Sequence, residues 1–461
     1  METQCFYGRK QIYTDEAVIT VENVVPVLEK ALLVHAINRS QIEYLWNYYC
    51  GKTPILSKEK EVRTEINHKI NINRAFEAVT FKLGYGFGEP IQYIRSGSDD
   101  NLSDEIKALN EYMALARKQY RDSQLAEWML VCGLGMRMLL PGESEEEPIQ
   151  VYTLDPRDSF VVKHNGLGER VVMGVKTIVK ENGYPVHSVY TKDMYYEIQH
   201  GQIIKAEPHV LGDVPIFQYR ANQAMLGCFE VALNILDTIS EIESNRMDDV
   251  QQCVNSFLAL MGGTIDDETA TKLEEYKMLC LPEGVDAKYL SVPMQQGDIQ
   301  VMVDSLYDAF LTICGIPNRN SGSGGDNGVA VIYRDGYVMA ETHMKSLEGE
   351  YKDADARFLK MALRILEDMV GLKLPLKNVE SKFTRRNYDN LLTKSQVLTT
   401  MLSSPRIHPQ LAYAHCGMFV DPESAYLQSR EWWEENERKE AEEMDRYVKS
   451  LNEDSDENAV Q

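Results

Sequence analysis

The amino-acid sequence predicts an α+β protein that is mainly α-helical, and three observations lead to this fold class. Apolar residues at helical spacing recur before residue 133 and again after residue 227, whereas residues 150–220 alternate apolar and polar positions between turn signals. A short segment rich in Gly, Ser, Asn and Asp, residues 317–328, separates two of the longer helical patterns. The length of 461 residues exceeds one compact core, so we expect roughly two or three domains.

The first 132 residues predict a series of helices. Apolar positions with helical spacing begin at Val24, and a separate aromatic-rich helix begins near Ile42 and ends at Gly51. A later helix is followed by three alternating glycines, which predict a hinge, and then by a strand. The later helices are predicted over residues 75–83, 103–120 and 122–132, and the hinge glycines are Gly84, Gly86 and Gly88.

Residues 150–220 predict antiparallel strands joined by tight turns. Alternating apolar and polar residues are typical of strands with one buried face, and Asn-Gly and His-Gly pairs favour two-residue hairpin turns. The tyrosines along these strands are interpreted as packing residues rather than as stacking platforms for nucleic-acid bases. The predicted hairpin turns lie at residues 164–166, 181–183 and 200–201.

Residues 229–260 predict one long helix with an apolar stripe. About 30 residues at about 1.5 Å each give a rod on the order of 45 Å, which must find partners along its length. A small module at 262–298 follows, with a helix over 266–277 and short strands near 278–281 and 288–292, and a second helix returns over 299–314. The stripe is predicted to form a subunit interface, so that replacing two of its residues with Asp abolishes assembly and leaves soluble protein. The stripe residues are Val231, Leu236, Ile239, Ile242, Met247, Val250, Val254 and Phe257; all of them except Met247 are assigned to the interface, and the replaced pair is Leu236 and Ile239.

The last third of the chain predicts more helices. A long helix begins near Val329 and continues to Val370. Shorter helices follow at 387–402 and 409–417, and the last one begins at Asp421 and leads into an acidic tail.

The charge balance of the chain is strongly acidic. It has 48 basic and 71 acidic residues, a net charge of −23, with an acidic cluster at residues 143–147 and another at the C-terminus. Proteins that grip nucleic acid cluster Lys and Arg against the phosphates, so this chain is expected to contact DNA only loosely. Solubility alone is the plainer explanation of the charge.

The sequence contains none of the usual catalytic or metal-binding motifs. The glycine-rich segment lacks the Lys of a phosphate-binding loop and follows a helix, the eight cysteines form no C-x-x-C pair, and the nine histidines show no H-E-x-x-H spacing. The adjacent acidic pairs Asp248-Asp249 and Asp266-Asp267 are interpreted as solvated or capping residues. We therefore predict no catalytic residue, cofactor, metal or disulfide. No apolar run is long enough for a membrane span and no secretory signal is evident, so an intracellular product is expected.

With these elements in order, the chain resembles the portal proteins of tailed phages, of the type found in long-tailed phages that infect Gram-positive bacteria. The similarity is spread over most of the sequence rather than held in one signature. It includes the stretches YYCGKTPIL, INHKININRAFEAVTFKLGYGFGEPIQY, LAEWMLVCGLGMRMLL, LDPRDSFVV, GIPNRNSGSGGDNGVAVIYR and the segment that begins FTRRNYDNLLTKSQVL.

The resemblance implies a portal fold assembled as a ring around a central channel. About twelve subunits would stand at one capsid vertex, where a terminase motor packages double-stranded DNA that later leaves through the same channel. It also implies contacts with a head-tail adaptor and with major capsid and scaffolding proteins, assembly in the host cytoplasm and residence in the virion. The implied regions are a wing (1–227), stem helices (228–261 and 299–316), a clip (262–298), a tunnel loop (317–328), a long wing and channel helix (329–376) and a crown with the acidic tail (377–461).

The resemblance places the glycine-rich loop in the DNA channel. Arg319 is its only cation, and it is expected to make brief, sequence-independent contacts with phosphates; an ion pair with a neighbouring subunit is the alternative. The other residues supply neutral polar groups. The predicted loop residues are Asn318, Arg319, Asn320, Ser321, Ser323 and Asn327.

Two other functions compete with the structural ring. A soluble nucleic-acid-processing enzyme would need a convergent catalytic set, which the sequence lacks. A monomeric capsid-associated adaptor would leave the apolar stripe of the long helix in contact with water. The mass of the purified protein in native solution distinguishes these alternatives.

Overall fold

A computed structural model describes residues 7–61, 64–96, 102–181, 183–254, 257–261, 286–290, 296–318, 336–385, 391–419 and 422–458. The mixture of helices and strands confirms the α+β class. The helices are α1 (Val24–Tyr49), α2 (Arg74–Phe87), α3 (Ser103–Leu115), α4 (Lys118–Cys132), α5 (Leu233–Val254), α6 (Gln296–Cys314), α7 (Tyr337–Val370), α8 (Leu391–Leu402), α9 (Pro409–Cys416) and α10 (Pro422–Asn458). The strands are β1 (Tyr13–Thr14), β2 (Gln92–Arg95), β3 (Leu134–Pro141), β4 (Ile149–Leu154), β5 (Ser159–His164), β6 (Val171–Val179), β7 (Pro185–Tyr190), β8 (Met194–Gln199), β9 (Gln202–Pro208), β10 (Ile216–Arg220), β11 (Phe257–Met261), β12 (Asp286–Leu290) and β13 (Val379–Lys382).

A six-stranded sheet, in the order β1-β5-β6-β7-β8-β9, covers one side of the N-terminal half. Its consecutive strands from β5 to β9 are antiparallel, which confirms the predicted hairpins. His200 and Gly201 both have positive φ, as a tight hairpin turn requires. The apolar face of α1 packs on this sheet, with Val24 and Leu28 buried against Phe160 and Val162.

A second, three-stranded sheet, in the order β10-β3-β4, lies at the centre of the main core. Helix α4 packs against it, together with the first half of α7, and α2 packs on α4. The second half of α7 packs against α3 and β4 in a further apolar cluster. Strand β13 pairs with β2. Segments that precede α5 and segments that follow α6 in the sequence therefore pack in the same part of the fold.

Three predicted boundaries in this body are wrong. Helix α1 is one continuous helix from Val24 to Tyr49, not two. Helix α2 continues through Gly84 and Gly86 to Phe87, and Gly86 serves close packing instead of a hinge, since a Cβ there would lie 1.9 Å from the Met344 Cε. The helix predicted over 103–120 breaks at Arg117, whose φ of 53° ends α3 and starts α4.

The predicted long helix over 229–260 is also wrong at its end. A short 3-10 turn over Glu230–Ala232 precedes α5, which stops at Val254. The apolar run that follows forms β11, where Phe257 pairs with Leu290 of β12. An uninterrupted apolar run favours a strand because it lacks the polar positions of a solvent-facing helix. The helix predicted over 266–277 lies outside the described residues.

Helices α5 and α6 pack together as a helical hairpin that leaves the core and returns to it. Phe229 and Leu233 near its root are buried with Phe310 and Leu311 of α6. Toward the other end, Arg246 Nη1 donates a hydrogen bond to Gln300 Oε1 at 2.9 Å. The small β11-β12 ribbon lies between the two helices in the sequence.

Helix α7 begins at Tyr337 rather than near Val329. Gly336 precedes it with a φ of +82°, which an α-helix cannot contain, and residues 319–335 lie outside the described residues. Helices α8, α9 and α10 follow, and α8 and α10 pack against α9.

Candidate functional site

The predicted channel loop (317–328) begins beside the residue that precedes α7. Gly336 lies so close to Pro317 that a Cβ on Gly336 would be 3.6 Å from the Pro317 Cα. Gly315 has a φ of +64° and packs against the His343 ring, 2.7 Å from the position of a Cβ. Pro317 and Gly336, which flank the undescribed residues 319–335, are therefore neighbours in the structure.

One predicted loop residue lies within the described part of the chain. Asn318 donates a hydrogen bond from Nδ2 to Asp308 Oδ1 of α6, at 2.8 Å. This contact ties the start of the loop to the last turns of the helical hairpin. Arg319, Asn320, Ser321, Ser323 and Asn327 lie outside the described residues, so their contact with DNA stays a prediction.

The predicted stem stripe divides into two classes of residue. Leu236 and Ile239 are only 2% and 3% exposed, because they pack into the core of the subunit itself. Ile242 is half-buried, whereas Val231 and Val250 are exposed. The side chain of Val254 is not described, and Phe257 lies in β11. Leu236 and Ile239 therefore have almost no surface left for a neighbouring subunit, and the predicted effect of replacing them with Asp must instead be on folding.

Met247, which the sequence placed in the stripe, is 45% exposed on α5. The sequence reasoning missed the exposed apolar residues of α6, where Val301 and Met302 are 70% and 48% exposed. Together with Val250, these residues form the exposed apolar surface of the hairpin. Their signal in the sequence was weak, because adjacent apolar residues such as Val301 and Met302 do not keep the spacing of a single stripe.

Asp248 on α5 is not a solvated residue, as the sequence suggested, but a buried anchor. Its Oδ1 accepts hydrogen bonds from the His68 backbone N–H and lies 2.8 Å from His68 Nδ1, and its Oδ2 accepts from Lys58 and Lys60. Burial would raise the pKa of this carboxyl, but the bonds from His68 and the lysines outweigh burial and hold that pKa far below its usual value. Asp248 thereby fastens the 58–70 segment along the helical hairpin.

We expect Asp248→Asn to lower the free energy of unfolding by about 2 kcal/mol at pH 7, because it weakens charge-assisted hydrogen bonds. The folded-state pKa of Asp248 lies below the unfolded-state value of about 3.9, so its contribution is fully present above that value and is lost as the pH falls through the folded-state pKa. The difference between wild type and variant should therefore shrink below about pH 4. Denaturant unfolding from pH 3 to 7 measures it. Asp249→Asn, at the exposed neighbour, is the control, and an equal loss in both variants would contradict the anchor.

A buried polar network, here called the Arg137 network, joins six elements of the core. Arg137 on β3 is fully buried and pairs with Asp122 on α4 and with Asp355 on α7. Lys118 Nζ donates to Asp122 Oδ2 at 2.8 Å. Tyrosine and serine hydroxyls complete the network. The hydroxyls of Tyr93 and Tyr219 donate to Asp355 at 3.0 Å, that of Ser381 donates to Asp355 at 3.1 Å, and that of Tyr351 donates to Asp122 at 2.7 Å.

The charges of the Arg137 network balance, with two cations facing two carboxylates. Burial would raise the pKa of Asp122, but the charges of Lys118 and Arg137 outweigh burial and hold that pKa below its usual value. Burial likewise opposes the charged form of Arg137, yet the surrounding hydroxyls and carboxylates raise the pKa of its guanidinium. Since the charged groups are sealed from solvent and pair with one another, with Arg137 Nε alone of the arginine's nitrogens left without a hydrogen bond to any described residue, the network is a structural clamp that holds α7 on the core.

A second buried ion pair fixes the root of the helical hairpin. Arg9 pairs with Glu230, and both side chains are completely buried. Glu230 Oε2 also accepts a hydrogen bond from the Gly227 N–H at 2.8 Å. The N-terminal segment is thereby attached to the turn that starts α5.

The described residues contain neither a cluster of metal-ligating side chains nor a helix able to span a membrane. Within this part of the chain, no group of three or more His, Cys, Asp or Glu side chains is arranged to hold a metal ion. None of the described helices is both long enough and apolar enough to cross a membrane.

Comparison with known proteins gives one family match. The model of a family described as phage portal protein, SPP1 Gp6-like, matches residues 32–450 of this chain. No curated protein matches the sequence.

Among solved structures, the chain is similar to chains from gene transfer agent (GTA) particles. One is from the neck of the native GTA particle computed with C12 symmetry, with a TM-score of 0.47, 12% identity, and coverage of 75% of this chain and 89% of that chain. Another is from the neck of the empty GTA particle computed with C6 symmetry, with a TM-score of 0.46, 12% identity, and coverage of 75% and 90%. Similarities of this size carry no functional conclusion.

Proposed function

Because this chain belongs to the SPP1 Gp6-like family of phage portal proteins, we propose that it forms a closed ring of about twelve subunits around a DNA channel. The ring stands at one vertex of the capsid, where a terminase motor packages double-stranded DNA through it and the tail side later receives the DNA. It also serves as the platform for a head-tail adaptor and contacts major capsid and scaffolding proteins. Subunits assemble in the host cytoplasm and become part of the virion, and the protein performs no catalysis of its own.

The helical hairpin is the structural observation that carries this proposal. It leaves the core as two antiparallel helices and exposes apolar residues that include Met247, Val250, Val301 and Met302. An exposed apolar surface of this kind marks a protein contact. A ring in which each subunit touches the next through two different surfaces needs such a patch on every copy. The hairpin therefore fits the stem, with β11 and β12 as part of the clip.

The channel loop has a fixed base in the same region. Pro317, at its predicted start, lies beside Gly336 and the inner end of α6, and Asn318 is bonded to Asp308. We propose that the tunnel loop, residues 317–328, lines the channel. Arg319 would make transient phosphate contacts there, independent of DNA sequence.

The net charge of −23 supports a channel that carries DNA without retaining it. Strong phosphate binding needs clustered cations that displace counterions, and the chain has far more acidic than basic residues. A ring of such subunits presents a largely repulsive wall to a polyanion. The duplex can then slide past with contacts confined to single residues.

The first experiment is the mass of the purified protein in native solution, measured by native mass spectrometry and followed by electron microscopy. We expect a species near a dozen times the subunit mass of 52.6 kDa, seen as rings with a central hole. A monomer that stays monomeric at high concentration and with added scaffolding protein would overturn the ring. That outcome would favour the monomeric adaptor.

A further inference from the structure

Lys82 on α2 is a buried lysine without a partner in the described part of the chain. It is only 7% exposed, and it forms no hydrogen bond or ion pair with any described residue. Buried charged groups normally lie beside an opposite charge or several hydrogen-bonding groups, because burial removes their contact with water. The charge of Lys82 must therefore act on the groups that share its surroundings.

Four segments of the chain meet around Lys82. Burial lowers the pKa of the His343 imidazole on α7, and the charge of Lys82 lowers that pKa further. Burial raises the pKa of the thiols of Cys228, before α5, and of Cys314, at the end of α6, and the charge of Lys82 opposes this effect on both thiols. These four residues form one cluster, here called the Lys82 junction, which joins α2, both ends of the helical hairpin and α7.

The His343 ring packs against the chain that follows α6. Gly315 has a positive φ and lies so close to the ring that a Cβ on it would be 2.7 Å from the His343 Cγ. Its neighbours Cys314 and Ile316 are both buried. In such close packing the ring cannot move without displacing the residues it touches. A change in the state of His343 therefore acts on the segment just before Pro317, where the channel loop begins.

No carboxylate of the described residues faces His343. Within this part of the chain, the charge that acts on the ring is that of Lys82. The acidic residues on either side of His343 in the sequence, Glu341 and Glu348, bind Arg385 instead. The residues one turn away from His343 on α7 are uncharged, and they are Met339, Ala340, Ser346 and Leu347. A proton on His343 would therefore have a cation beside it and no described anion to offset it.

The Lys82 junction accommodates one positive charge but not two. Helix α6 has no basic residue in its last turn, so Lys82 supplies the cation that the dipole favours at a helix C-terminus. A second cation in the same buried space would meet strong repulsion, because charges interact strongly where water is excluded. We propose that the Lys82 junction is an acid-sensitive contact, in which protonation of His343 separates its ring from Gly315 and loosens the end of α6 from α7. The proposal concerns the folded subunit and does not depend on the proposed ring.

The direction of the pH dependence follows from the pKa of His343. Its folded-state pKa lies below the unfolded-state value of about 6.5, so the opened junction takes up a proton before the closed one does. The stability of the closed junction is fully present above about pH 6.5 and is lost as the pH falls towards the folded-state pKa. Burial raises the pKa of Glu348, which therefore also titrates in acid, but Glu348 faces Arg385. A substitution of His343 separates the two effects.

Hydrogen exchange of the full-length protein tests the proposal, with the intrinsic exchange rates at each pH divided out. Between about pH 7.5 and about pH 5, the amides of residues 311–316 should lose about tenfold of their protection in the wild type. His343→Gln cannot take up the proton, and Lys82→Met removes the opposing cation, so each variant should lose no more than about twofold. The double variant should behave like either single variant, because both act on one pair. Native mass spectrometry at both pH values checks that the assembly state is the same.

A matched control makes the same change at a histidine far from the junction in the sequence. His415 on α9 is exposed, so His415→Gln should keep the full acid response of residues 311–316. Circular dichroism at neutral pH should show all variants folded. Protection that does not change with pH in the wild type would overturn the proposal, and so would an acid response that persists in His343→Gln or in Lys82→Met. None of these outcomes bears on whether rings form.

Discussion

Replacing Arg137 with methionine is expected to lower the free energy of unfolding by about 3–5 kcal/mol. Methionine keeps much of the length of the side chain but removes its charge. Asp122 and Asp355 would then remain buried with Lys118 as their only cationic partner in the Arg137 network. Removing one member of a buried ionic network costs more than the network contributes, because the remaining charges lose their solvation without compensation.

Denaturant unfolding of the unassembled subunit measures this loss, and hydrogen exchange of the α7 amides shows whether the helix detaches. Arg157→Met is the matched control. Arg157 also pairs with a carboxylate, Asp155, at 2.6 Å, but both side chains are partly exposed, so a loss of no more than about 1 kcal/mol is expected. Equal losses in the two variants would contradict the view that the buried network clamps α7 to the core.

Glutamate at exposed positions of the helical hairpin is expected to abolish ring formation while the subunit stays folded. Val250→Glu and Val301→Glu each place a charge in the exposed apolar surface of α5 or α6. Burying an unpaired carboxylate in a subunit contact costs several kcal/mol, and the cost recurs at every contact of the ring. Native mass spectrometry should find monomers, and thermal unfolding should differ little from that of the wild-type monomer.

Two further variants make this result specific to the hairpin surface. Leu236→Glu should unfold the subunit, because Leu236 is buried in its core, and Val179→Glu, at an exposed apolar residue of the six-stranded sheet, should leave rings unchanged. Rings that persist in both hairpin variants would show that α5 and α6 do not meet neighbouring subunits through this surface.

Local patterns in the sequence predicted most of the elements and missed several of their boundaries. The hairpins of the six-stranded sheet were predictable because turn residues and alternation are local signals. The end of α5 at Val254 was not, since the apolar run from Phe257 fits a buried strand as well as a helix. The glycine at position 86 makes room for Met344, more than 250 residues away, a long-range reason that local patterns do not show, whereas no described residue outside the helix lies within 4 Å of a Cβ at Gly84.

The functional surfaces were only partly predictable for a similar reason. The position of the channel loop between two helices was predicted from composition. Its predicted start at Pro317 follows the end of α6, whereas α7 begins at Tyr337 rather than near Val329. Burial decided the rest. Leu236 and Val250 have the spacing of one helical stripe. Only the packing of the neighbouring helices shows that Leu236 is buried in the subunit core and that Val250 is exposed. The local sequence indicated the Arg137 network only through a single arginine in the apolar strand LGMRMLLP. The partners of Arg137 come from segments distant in the sequence.

The Arg137 network also has a consequence for how the chain is made. Arg137 precedes its partner Asp355 by 218 residues and Ser381 by 244, and the whole helical hairpin lies between them in the sequence. At roughly 5–20 residues per second, a ribosome needs on the order of 12–50 s to synthesise that interval. During this time Arg137 and the hydroxyls of Tyr93 and Tyr219 lack Asp355, their acidic partner on α7. The part of the core around the Arg137 network can close only after α7 and β13 have been synthesised, so a chain that is still on the ribosome has an incomplete core.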